Sequence, residues 1–320
     1  MVYPASQPAH AFGFERIRYE KSGWRATVTI NRPEVHNCLD FQTLREMGRA
    51  FEDASWDDGV AVLVLTGAGD RAFSTGADLK EQEEFFLTRP RDYWKWMGAF
   101  IDAHYRLLNI GKPTIARLNG LVVGGGNEFN IACDLAIAAD HVKIRQVGTA
   151  RGSVAAGGAT QWLPIHVGDR RAREMLFLNQ RIPAKQALDW GLVNRVVPRA
   201  QLDDEVHALA EQCLDKFPEC TRYTKAQVNY WKEAAWHATV GHARDWLSTH
   251  FTTLEPYEGM QAFVEKRKVD FRGLRRRAAE GGSSEFVWGP YAQQCPKCGA
   301  KGLPSQFTFC GSCGANLPQG

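Results

Sequence analysis

Three consecutive glycines and a nearby glutamate form the first pattern in this sequence that can do chemistry. Gly124, Gly125 and Gly126 follow an apolar run and open a segment whose apolar residues recur at helical spacing. This order predicts a strand, a tight turn and a helix N-terminus, where the first backbone amides lack partners inside the helix. Such amides favour an anion or a developing oxyanion. A close contact between helix and strand, without a ligand, would use the same glycines.

Glu128 lies three residues beyond Gly125, in the first turn of the predicted helix. A carboxylate at this place can move a proton to or from a bound substrate, or act as general base on a water molecule. It can equally be a surface group that complements the helix dipole. Upstream, a buried apolar strand leads into a second glycine-containing turn, Thr75-Gly76-Ala77-Asp78. This second turn supplies the context that a bare glycine run lacks.

Four cysteines near the C-terminus have the spacing of a metal site. They form two C-x-x-C pairs, each followed by glycine, with eleven residues between the pairs, and the ligands would be Cys295, Cys298, Cys310 and Cys313. Four thiolates close a tetrahedral zinc site completely, which predicts a structural and not a catalytic role. Iron or a redox pair is the alternative. The segment resembles a rubredoxin-like zinc ribbon.

The residues around these cysteines bear on what the ribbon could bind. Pro304, Phe307 and Phe309 could present an apolar surface to a protein partner. Only Lys297 and Lys301 are basic, so nucleic-acid binding is not expected. The four remaining cysteines are scattered among apolar or helical segments, where a free thiol packs as a small hydrophobe. They are Cys38, Cys133, Cys213 and Cys220.

The composition of the 320 residues is that of an ordinary globular protein, with 44% hydrophobic and 23% charged residues. The formal net charge of +3 gives no argument for nucleic acid. No apolar stretch reaches the roughly 18 to 20 residues of a membrane span. The first 13 residues lack the basic and apolar regions of a signal peptide. These features predict a cytoplasmic protein without membrane contact.

The elements that must position these residues follow from periodicity. Strand and helix patterns alternate through the first two thirds of the chain, which predicts an α/β fold of parallel β–α units in the doubly wound style. A hairpin is expected from Phe14, with its turn at Ser22-Gly23. Residues 37–54 have helical spacing, and Asp40 is a plausible cap.

Further along the chain, residues 82–109 are predicted to form one or two helices over the binding site, with a break at Arg89-Pro90. The glycine-rich residues 141–168 are only weakly periodic. Residues 201–278 read as helical almost throughout, with Asp203 capping the first helix.

We divide the chain into four parts on composition. Residues 1–13 are predicted to be a flexible tail, and residues 14–278 a catalytic domain. The glycine- and serine-containing residues 279–294 are predicted to be a linker. Residues 295–320 would form the zinc ribbon, which has no core of its own and would fold on its metal.

Residues 14–272 resemble the crotonase (enoyl-CoA hydratase/isomerase) superfamily. The match rests on RAFSTGADLKE around the first turn, GLVVGGGNEFNIACD around the second, and EGMQAFVEKRKVDF near the C-terminus. The resemblance implies a spiral of ββα units with a C-terminal helical region that makes a homotrimer or hexamer. It implies that the backbone amides of Ala77 and Gly125 bind the thioester oxygen of an acyl-CoA substrate. Glu128 falls on the first of two glutamates that the hydratases use.

The resemblance also implies residues for coenzyme A and for substrate. Backbone around Ser74 and Thr75 would bind the adenine, and Lys80 the phosphates, helped by Lys266 or Lys268 from a neighbouring subunit. A solvated basic face is the alternative for the lysines and arginines that follow residue 265. Ser153 and Gln161 could line the pocket or serve the loop. The other residues assigned to this site are Gly76, Asp78, Gly124 and Gly148.

The second glutamate of the hydratases is missing. Gly148 stands at its position, and no Asp or Glu occurs between Asp140 and Asp169. Two subfamilies without that glutamate are similar here. The 6-oxocyclohex-1-ene-1-carbonyl-CoA hydrolases share TGAGDRAFSTG, RP-x-x-Y (with Tyr93) and a GSxxxGGA stretch. The 1,4-dihydroxy-2-naphthoyl-CoA synthases share REMLFLNQRIPAKQALDWGLVNRVVP, but they carry an aspartate at position 155 and lack a glutamate at position 128.

These similarities favour a hydratase or hydrolase for a cyclic or otherwise unusual enoyl- or oxo-acyl-CoA, closest to the ring-opening hydrolases. Arg151 stands where those hydrolases usually have a histidine. Three alternatives stay open: a plain enoyl-CoA hydratase or isomerase, a synthase-like C–C lyase, and a non-catalytic acyl-CoA-binding scaffold that recruits a partner through the ribbon.

Overall fold

Two β-sheets with helices around them form the body of the protein, which is described here from a computed structural model. The structure describes residues 7–283 and 285–318. The larger sheet has six strands, and all neighbours except the first pair are parallel. In spatial order its strands are β1 (Ile17–Ser22), β2 (Arg25–Ile30), β3 (Val62–Gly67), β5 (Thr114–Leu118), β7 (Leu135–Ala139) and β10 (Arg195–Val197).

The central strands of this sheet are buried on both faces, which explains their continuous apolar sequences. Every residue of β3 is buried. Across the sheet, Leu65 pairs with Val28 on one side and Ala116 on the other, and Ala116 pairs with Ala136. Along this row two branched side chains are followed by two alanines.

A second, four-stranded sheet runs beside the first. Its strands in spatial order are β4 (Ala72–Ser74), β6 (Leu121–Val123), β8 (Lys143–Arg145) and β9 (Ile182–Pro183). From β3 to β8 the chain enters the larger sheet and the smaller sheet in turn. This alternation is the ββα spiral that the resemblance implies, and the predicted α/β fold class is confirmed.

The first hairpin turns one residue later than expected. Ser22 pairs with Arg25 inside the ladder, and Gly23 and Trp24 form the turn with φ values of 55° and 66°. A two-residue turn with both central residues at positive φ matches the twist of the flanking strands. The predicted Ser22-Gly23 turn is therefore wrong by one position.

Eight helices lie between the hairpin and the long helix near the C-terminus. The cap of the first is confirmed, because Asp40 Oδ1 accepts a hydrogen bond from the Thr43 amide at 2.7 Å. Their bounds are α1 (Phe41–Trp56), α2 (Leu79–Glu81), α3 (Pro90–Leu108), α4 (Gly125–Ala132), α5 (Ala159–Val167), α6 (Asp169–Leu178), α7 (Ala184–Asp189) and α8 (Leu202–Leu214).

Residues 82–109 form two helical pieces with a break where the sequence predicts it. A π-helical turn covers Gln82–Phe86, and α3 begins at Pro90, whose missing amide hydrogen costs nothing at a helix start. The weakly periodic residues 141–168 contain β8 and α5. Periodicity is weak there because α5 is buried on several sides at once, through side chains that include Trp162 and Leu163.

The C-terminal region is helical, as expected. After α8 come α9 (Pro218–His250), α10 (Leu254–Val264) and α11 (Phe271–Ala279). The predicted cap at Asp203 is wrong: α8 begins at Leu202, and Asp203 lies inside its first turn, where it pairs with Arg117 at 2.6 Å. None of the helices among the described residues is long and apolar enough to cross a membrane.

The two ends of the chain add short elements. Residues 1–6 of the expected tail lie outside the described residues, whereas Ala9–Phe12 form a 3-10 helix whose Phe12 packs against the core. After α11, the Glu285 carbonyl accepts a hydrogen bond from the Leu254 amide at 3.1 Å. The strands β11 (Gln293–Gln294) and β12 (Lys301–Leu303) then pair antiparallel beside the four C-terminal cysteines.

Candidate active site

The two glycine turns predicted from the sequence lie against each other. A Cβ atom built on Gly76 would lie only 2.8 Å from the Gly125 nitrogen and 2.9 Å from the Val123 carbonyl oxygen. Gly76 also has a φ of 81°, a backbone conformation that side chains disfavour. Glycine is therefore required here for both reasons, and the close approach places the turn after β4 beside the N-terminus of α4.

The backbone N–H of Ala77 points away from Leu39, the residue that pairs with it. Leu39 forms a parallel bridge with Ala77: its amide donates to the Gly76 carbonyl at 2.8 Å, and its carbonyl accepts from the Asp78 amide at 3.0 Å. Since the peptide groups on either side of Ala77 bond to Leu39, the Ala77 N–H points to the opposite side. It has no hydrogen-bond acceptor among the described residues.

The amide of Gly125 is the first of α4. Gly124 precedes the helix with a φ of 55°, and its own amide donates to the Arg145 carbonyl at 2.9 Å. The Gly125 N–H has no acceptor among the described residues, as expected for the first turn of a helix. A Cβ on Gly126 would lie 2.9 Å from the Ser74 carbonyl carbon, so the helix start packs directly on β4. Two unpaired amides on adjoining turns can bind one oxyanion.

Glu128 lies in the first turn of α4 and is only 3% exposed. Its Oε1 accepts hydrogen bonds from the amides of Gly157 at 2.8 Å and Ala159 at 3.0 Å. Burial raises the pKa of the Glu128 carboxyl to about 7, and those two hydrogen bonds oppose the rise. A carboxyl group with this pKa can both accept and return a proton near neutral pH. The surface-cap interpretation of Glu128 is therefore wrong.

Helix α3 covers this group with aromatic side chains. A Cβ on Gly125 would lie 3.0 Å from the Phe100 ring, and one on Gly157 would overlap that ring. One turn on, the His104 ring stacks on Phe129 with 3.7 Å between ring centres, and its Nδ1 lies 2.7 Å from the Phe100 carbonyl. Burial lowers the pKa of His104 to about 3, so this ring stays neutral.

Position 148 lies against the following loop. The Gly148 carbonyl accepts hydrogen bonds from the amides of Arg151 at 2.8 Å and Ser153 at 3.0 Å. A Cβ at this position would approach the Ser153 carbonyl oxygen to 3.0 Å and the Ala155 nitrogen to 3.3 Å. A larger side chain at position 148 would therefore require a shift of this loop.

The polar side chains of the first turn are mostly bonded within the protein. Ser74 is buried, and its hydroxyl accepts from the amide two residues further on at 3.2 Å. The Thr75 hydroxyl donates to the His36 carbonyl at 3.3 Å. Asp78 caps α2 and forms an ion pair with Arg32 at 3.0 Å. These side chains shape the turn, and its backbone is what can face a ligand.

The two predicted phosphate-binding lysines are exposed. Lys80 lies in α2, and Lys266 follows the end of α10. Helix α10 packs against α2 within the same chain. Lys266 therefore follows a helix that contacts α2 without a second subunit.

The four C-terminal cysteines converge as their spacing predicts. All four sulfur atoms lie within 4.8 Å of one another. Cys295 and Cys313 are 3.7 Å apart, and Cys298 and Cys310 are 3.6 Å apart. Four sulfurs at 2.3 Å from a tetrahedral zinc ion would be separated by roughly 3.8 Å. The donor set fits zinc in number, type and spacing.

The two halves of this site repeat the same backbone pattern. In each, the first cysteine bonds the residue five positions on, as in Cys295 N to Ala300 O at 2.8 Å and Cys310 N to Ala315 O at 2.8 Å. Backbone amides, that of Cys298 first, lower the pKa of the Cys295 thiol to about 6. The Ser312 amide lowers the pKa of the Cys310 thiol. Such amides stabilise the thiolate form that a metal needs.

Two residues near the site, Tyr93 and Glu81, have contacts that the sequence motifs did not predict. The sequence predicts Tyr93 only as part of RP-x-x-Y, yet its hydroxyl lies near Ser153 and within the field of Glu128. Glu81 was not singled out, yet it accepts from the Phe41 amide at 3.1 Å and from the Trp96 ring nitrogen at 3.1 Å, and so ties α1 to α3. The spacing of Tyr93, Trp96 and Phe100 on one helix face could have indicated this buried face.

A family model described as enoyl-CoA hydratase/isomerase matches residues 21–275. Similar solved structures extend over almost the whole length of their own chains. An enoyl-CoA hydratase from Mycobacterium avium subsp. paratuberculosis K-10 is 26% identical, with 80% of this chain and 98% of that chain covered and a TM-score of 0.73. An enoyl-CoA hydratase from Bacillus anthracis is 28% identical, with coverage of 81% and 100% and a TM-score of 0.65.

A third solved structure, Pseudomonas aeruginosa DspI, is 30% identical, with 85% of this chain and 100% of that chain covered and a TM-score of 0.65. The family match spans most of the chain and includes both glycine turns, Glu128 and the helices that cover them. On this match, and on the ββα spiral that brings the two turns together, the chain belongs to the enoyl-CoA hydratase/isomerase family.

Proposed function

We propose that this protein is a hydratase or hydrolase that acts on a cyclic or otherwise unusual enoyl- or oxo-acyl-CoA. One observation carries the proposal: a single buried carboxyl, that of Glu128, lies next to two unpaired amides on adjoining turns. The amides of Ala77 and Gly125 would bind the thioester oxygen and stabilise the enolate that forms on it. Removal of one such donor costs about 3 to 4 kcal/mol in other enzymes.

The chemistry would use Glu128 twice. As its carboxylate, Glu128 accepts a proton from water while the water oxygen bonds to the β carbon and the C=C electrons move onto the thioester oxygen. The carboxyl then returns the proton to the α carbon, and the C=C bond is replaced by C–H and C–OH. A pKa near 7 suits both steps.

The residue at position 148 separates this proposal from ordinary two-glutamate hydration. Gly148 and the absence of Asp or Glu from residues 141–168 leave Glu128 without a second carboxylate from that loop. Opening a ring ketone would need a second water molecule, which adds OH to the carbonyl carbon and H to the carbon that leaves. Plain hydration of a linear enoyl-CoA is the second candidate, since the similar structures from Mycobacterium avium and Bacillus anthracis are named enoyl-CoA hydratases.

We also propose roles for the two exposed lysines and for the four C-terminal cysteines. Lys80 and Lys266 would bind the phosphates of coenzyme A. Zinc held by Cys295, Cys298, Cys310 and Cys313 would fold the ribbon and take no part in catalysis, because four thiolates leave no open coordination position.

Mass spectrometry of a panel of acyl-CoAs incubated with the protein tests the proposal. The panel contains crotonyl-CoA, a cyclic dienoyl-CoA and 6-oxocyclohexenoyl-CoA. A gain of two water molecules on the cyclic ketone, lost in Glu128→Gln, supports the hydrolase. A gain of one water molecule on crotonyl-CoA alone supports the plain hydratase. Tight binding with no product across the panel would contradict both enzymes and favour the scaffold.

A further inference from the structure

Tyr93 is the one hydroxyl-bearing side chain among the aromatic groups with which α3 covers the site. Tyr93, Trp96 and Phe100 recur at helical spacing and are each at most 5% exposed. Phe100 touches the turns that carry Gly125 and Gly157, so this face of α3 lies directly over the carboxyl of Glu128. Tyr93 therefore adds a hydroxyl group to the buried face of α3 that covers Glu128.

The Tyr93 ring is held rigidly. It stacks on Phe251 with 3.5 Å between ring centres and an angle of 14°, and it lies parallel to Trp96 at 5.9 Å. Two aromatic planes fix the direction of the C–O bond, so the hydroxyl has one place to act. Phe251 follows the end of α9, and the C-terminal helical region thereby contributes to the position of this group.

The neighbours of the Tyr93 hydroxyl bear on the direction of its proton. The Ser153 side chain lies near that hydroxyl, and its one hydrogen bond within the described residues, to the Val154 carbonyl, is long at 3.5 Å. A phenol oxygen can accept from a neighbouring hydroxyl and still donate its own proton to another acceptor. Tyr93 and Glu128 make no direct hydrogen bond within the described part of the chain, yet the tyrosine lies within the field of that carboxylate.

We infer that Tyr93 is the second polar group of the reaction, taking the place of the missing carboxylate at position 148 by donating a hydrogen bond to the oxygen that adds to the substrate. This inference rests on the proposed function. Burial raises the pKa of the Tyr93 hydroxyl well above its ordinary value. Tyr93 therefore stays protonated, so it orients the attacking oxygen as a donor and leaves proton transfer to Glu128.

Tyr93→Phe tests the inference, because it removes the hydroxyl and keeps the ring stack. Tyr19→Phe is the matched control: Tyr19 is also buried and loses a hydrogen bond to Asp53 of 2.6 Å, but it lies in β1, away from the site. We expect Tyr93→Phe to lower kcat about 10- to 100-fold with KM within about threefold. Tyr19→Phe should leave kcat unchanged, and Ser153→Ala should lower it by less than Tyr93→Phe does.

Glu128→Gln, assayed on the same substrate, distinguishes failure of the inference about Tyr93 from failure of the proposed function. If the wild type is active, Glu128→Gln is inactive and Tyr93→Phe retains full kcat, the inference about Tyr93 is wrong and the proposed function stands. If the wild type makes no product from any acyl-CoA of the panel, both are overturned. A loss of kcat in Tyr93→Phe that comes with an equal loss in Tyr19→Phe would mean general destabilisation and would overturn the inference.

Discussion

Glu128 is a case in which burial outweighs the groups that would stabilise its charge. Its Oε1 accepts two amide hydrogen bonds, and its place in the first turn of α4 also favours the carboxylate. Burial nevertheless raises its pKa from 4.5 to about 7. The folded state therefore binds a proton more tightly than the unfolded state between these two values. Above the unfolded pKa, the buried Glu128 carboxyl is therefore held at a cost in stability.

Glu128→Gln should stabilise the protein at high pH. Since the folded pKa is the higher one, the stability contributed by neutral Glu128 is complete below about pH 4.5 and is lost as pH rises to about 7. The difference between the unfolded pKa of 4.5 and the folded pKa of about 7 corresponds to at most roughly 3 kcal/mol. Gln keeps an oxygen for the two amides and cannot ionise. We expect the variant to exceed the wild type by about 1 to 3 kcal/mol at pH 8.

Thermal melts of the wild type and Glu128→Gln at pH 5 and pH 8 test this predicted gain in stability. The gap between their melting temperatures should be small at pH 5 and larger at pH 8. Glu233→Gln serves as the control, because Glu233 is on α9 away from the site, and it should show no such pH dependence. An equal difference in melting temperature at both pH values would mean that the pKa of Glu128 is not raised in the folded protein.

Sequence reasoning identified Glu128 and the two glycine turns, because the chemistry of these residues depends on short local patterns. It did not establish that Glu128 is buried, since the surface-cap alternative stayed open until α3 was placed over it. The role of Tyr93 depends on α3, on Phe251 and on the loop at Ser153. Such long-range contacts leave no local signal in the chain.

At the scale of elements, α4 and the turn after β4 depend on glycine for different reasons. Gly126 is needed because β4 lies directly against the helix start. Gly76 is needed because of its positive φ and because a side chain would reach the Gly125 amide. The close contact of helix and strand and the anion-binding geometry are therefore two results of one arrangement.

Gly76→Ala should abolish activity and cost more stability than the strain of its φ alone. Gly23→Ala is the matched control: Gly23 also has a positive φ, of 55°, but a Cβ there meets nothing within 4 Å. We expect Gly23→Ala to cost about 1 to 2 kcal/mol. Gly76→Ala should cost more, because its methyl group also displaces the Gly125 amide.

Denaturant unfolding measures the loss of stability, and an assay of turnover measures the loss of activity. The Gly23→Ala protein should have normal kcat. Equal losses of stability in the two variants, with activity retained in Gly76→Ala, would show that the two turns need not touch.

Some elements could be predicted from the sequence and others could not. The cap at Asp40 and the break before Pro90 were predicted because side-chain capping and the geometry of proline act locally. Helix α5 gave only weak periodicity because it is buried on several sides. Asp203 has the sequence of a cap, but α8 begins one residue earlier, at Leu202, and the Asp203 side chain pairs with Arg117 on β5.

The whole molecule combines a catalytic body with a small ribbon whose own core consists of Cys295, Cys310 and Leu317. A core of this size cannot offset the entropy of ordering the segment without metal or another crosslink. The 60 or so buried side chains of the body form a separate cluster. The two parts should therefore respond differently to loss of zinc.

Metal analysis should find one zinc per chain. Cys310→Ser should lose it, and Cys220→Ser, which removes an exposed cysteine on α9, should keep it. Chelation should expose the ribbon to proteolysis while kcat on the active acyl-CoA stays within about twofold. Full zinc content in Cys310→Ser, or an iron spectrum in the purified protein, would contradict the zinc assignment.

Helix α9 carries a set of exposed apolar side chains that a monomer would leave in water. They include Tyr223, Val228, Tyr230 and Trp231, each at least 62% exposed, and the exposed Phe217 directly precedes the helix. We expect a homotrimer or hexamer that covers part of this surface. Light scattering should give three or six chain masses, and Trp231→Glu should lower the value. Trp24→Glu, at another exposed tryptophan, in the first hairpin, is the control, and a monomeric wild type would contradict the expectation.

The most direct test of the account compares Glu128→Gln with the wild type in two measurements on one acyl-CoA that the wild type converts. Calorimetry should give the same affinity within about threefold, because the amides of Ala77 and Gly125 and the coenzyme A contacts remain. Turnover should fall by about 10²- to 10⁴-fold, and wild-type kcat/KM should rise with pH to a plateau above about pH 7. Turnover retained in Glu128→Gln would contradict the account and place the proton chemistry on another residue.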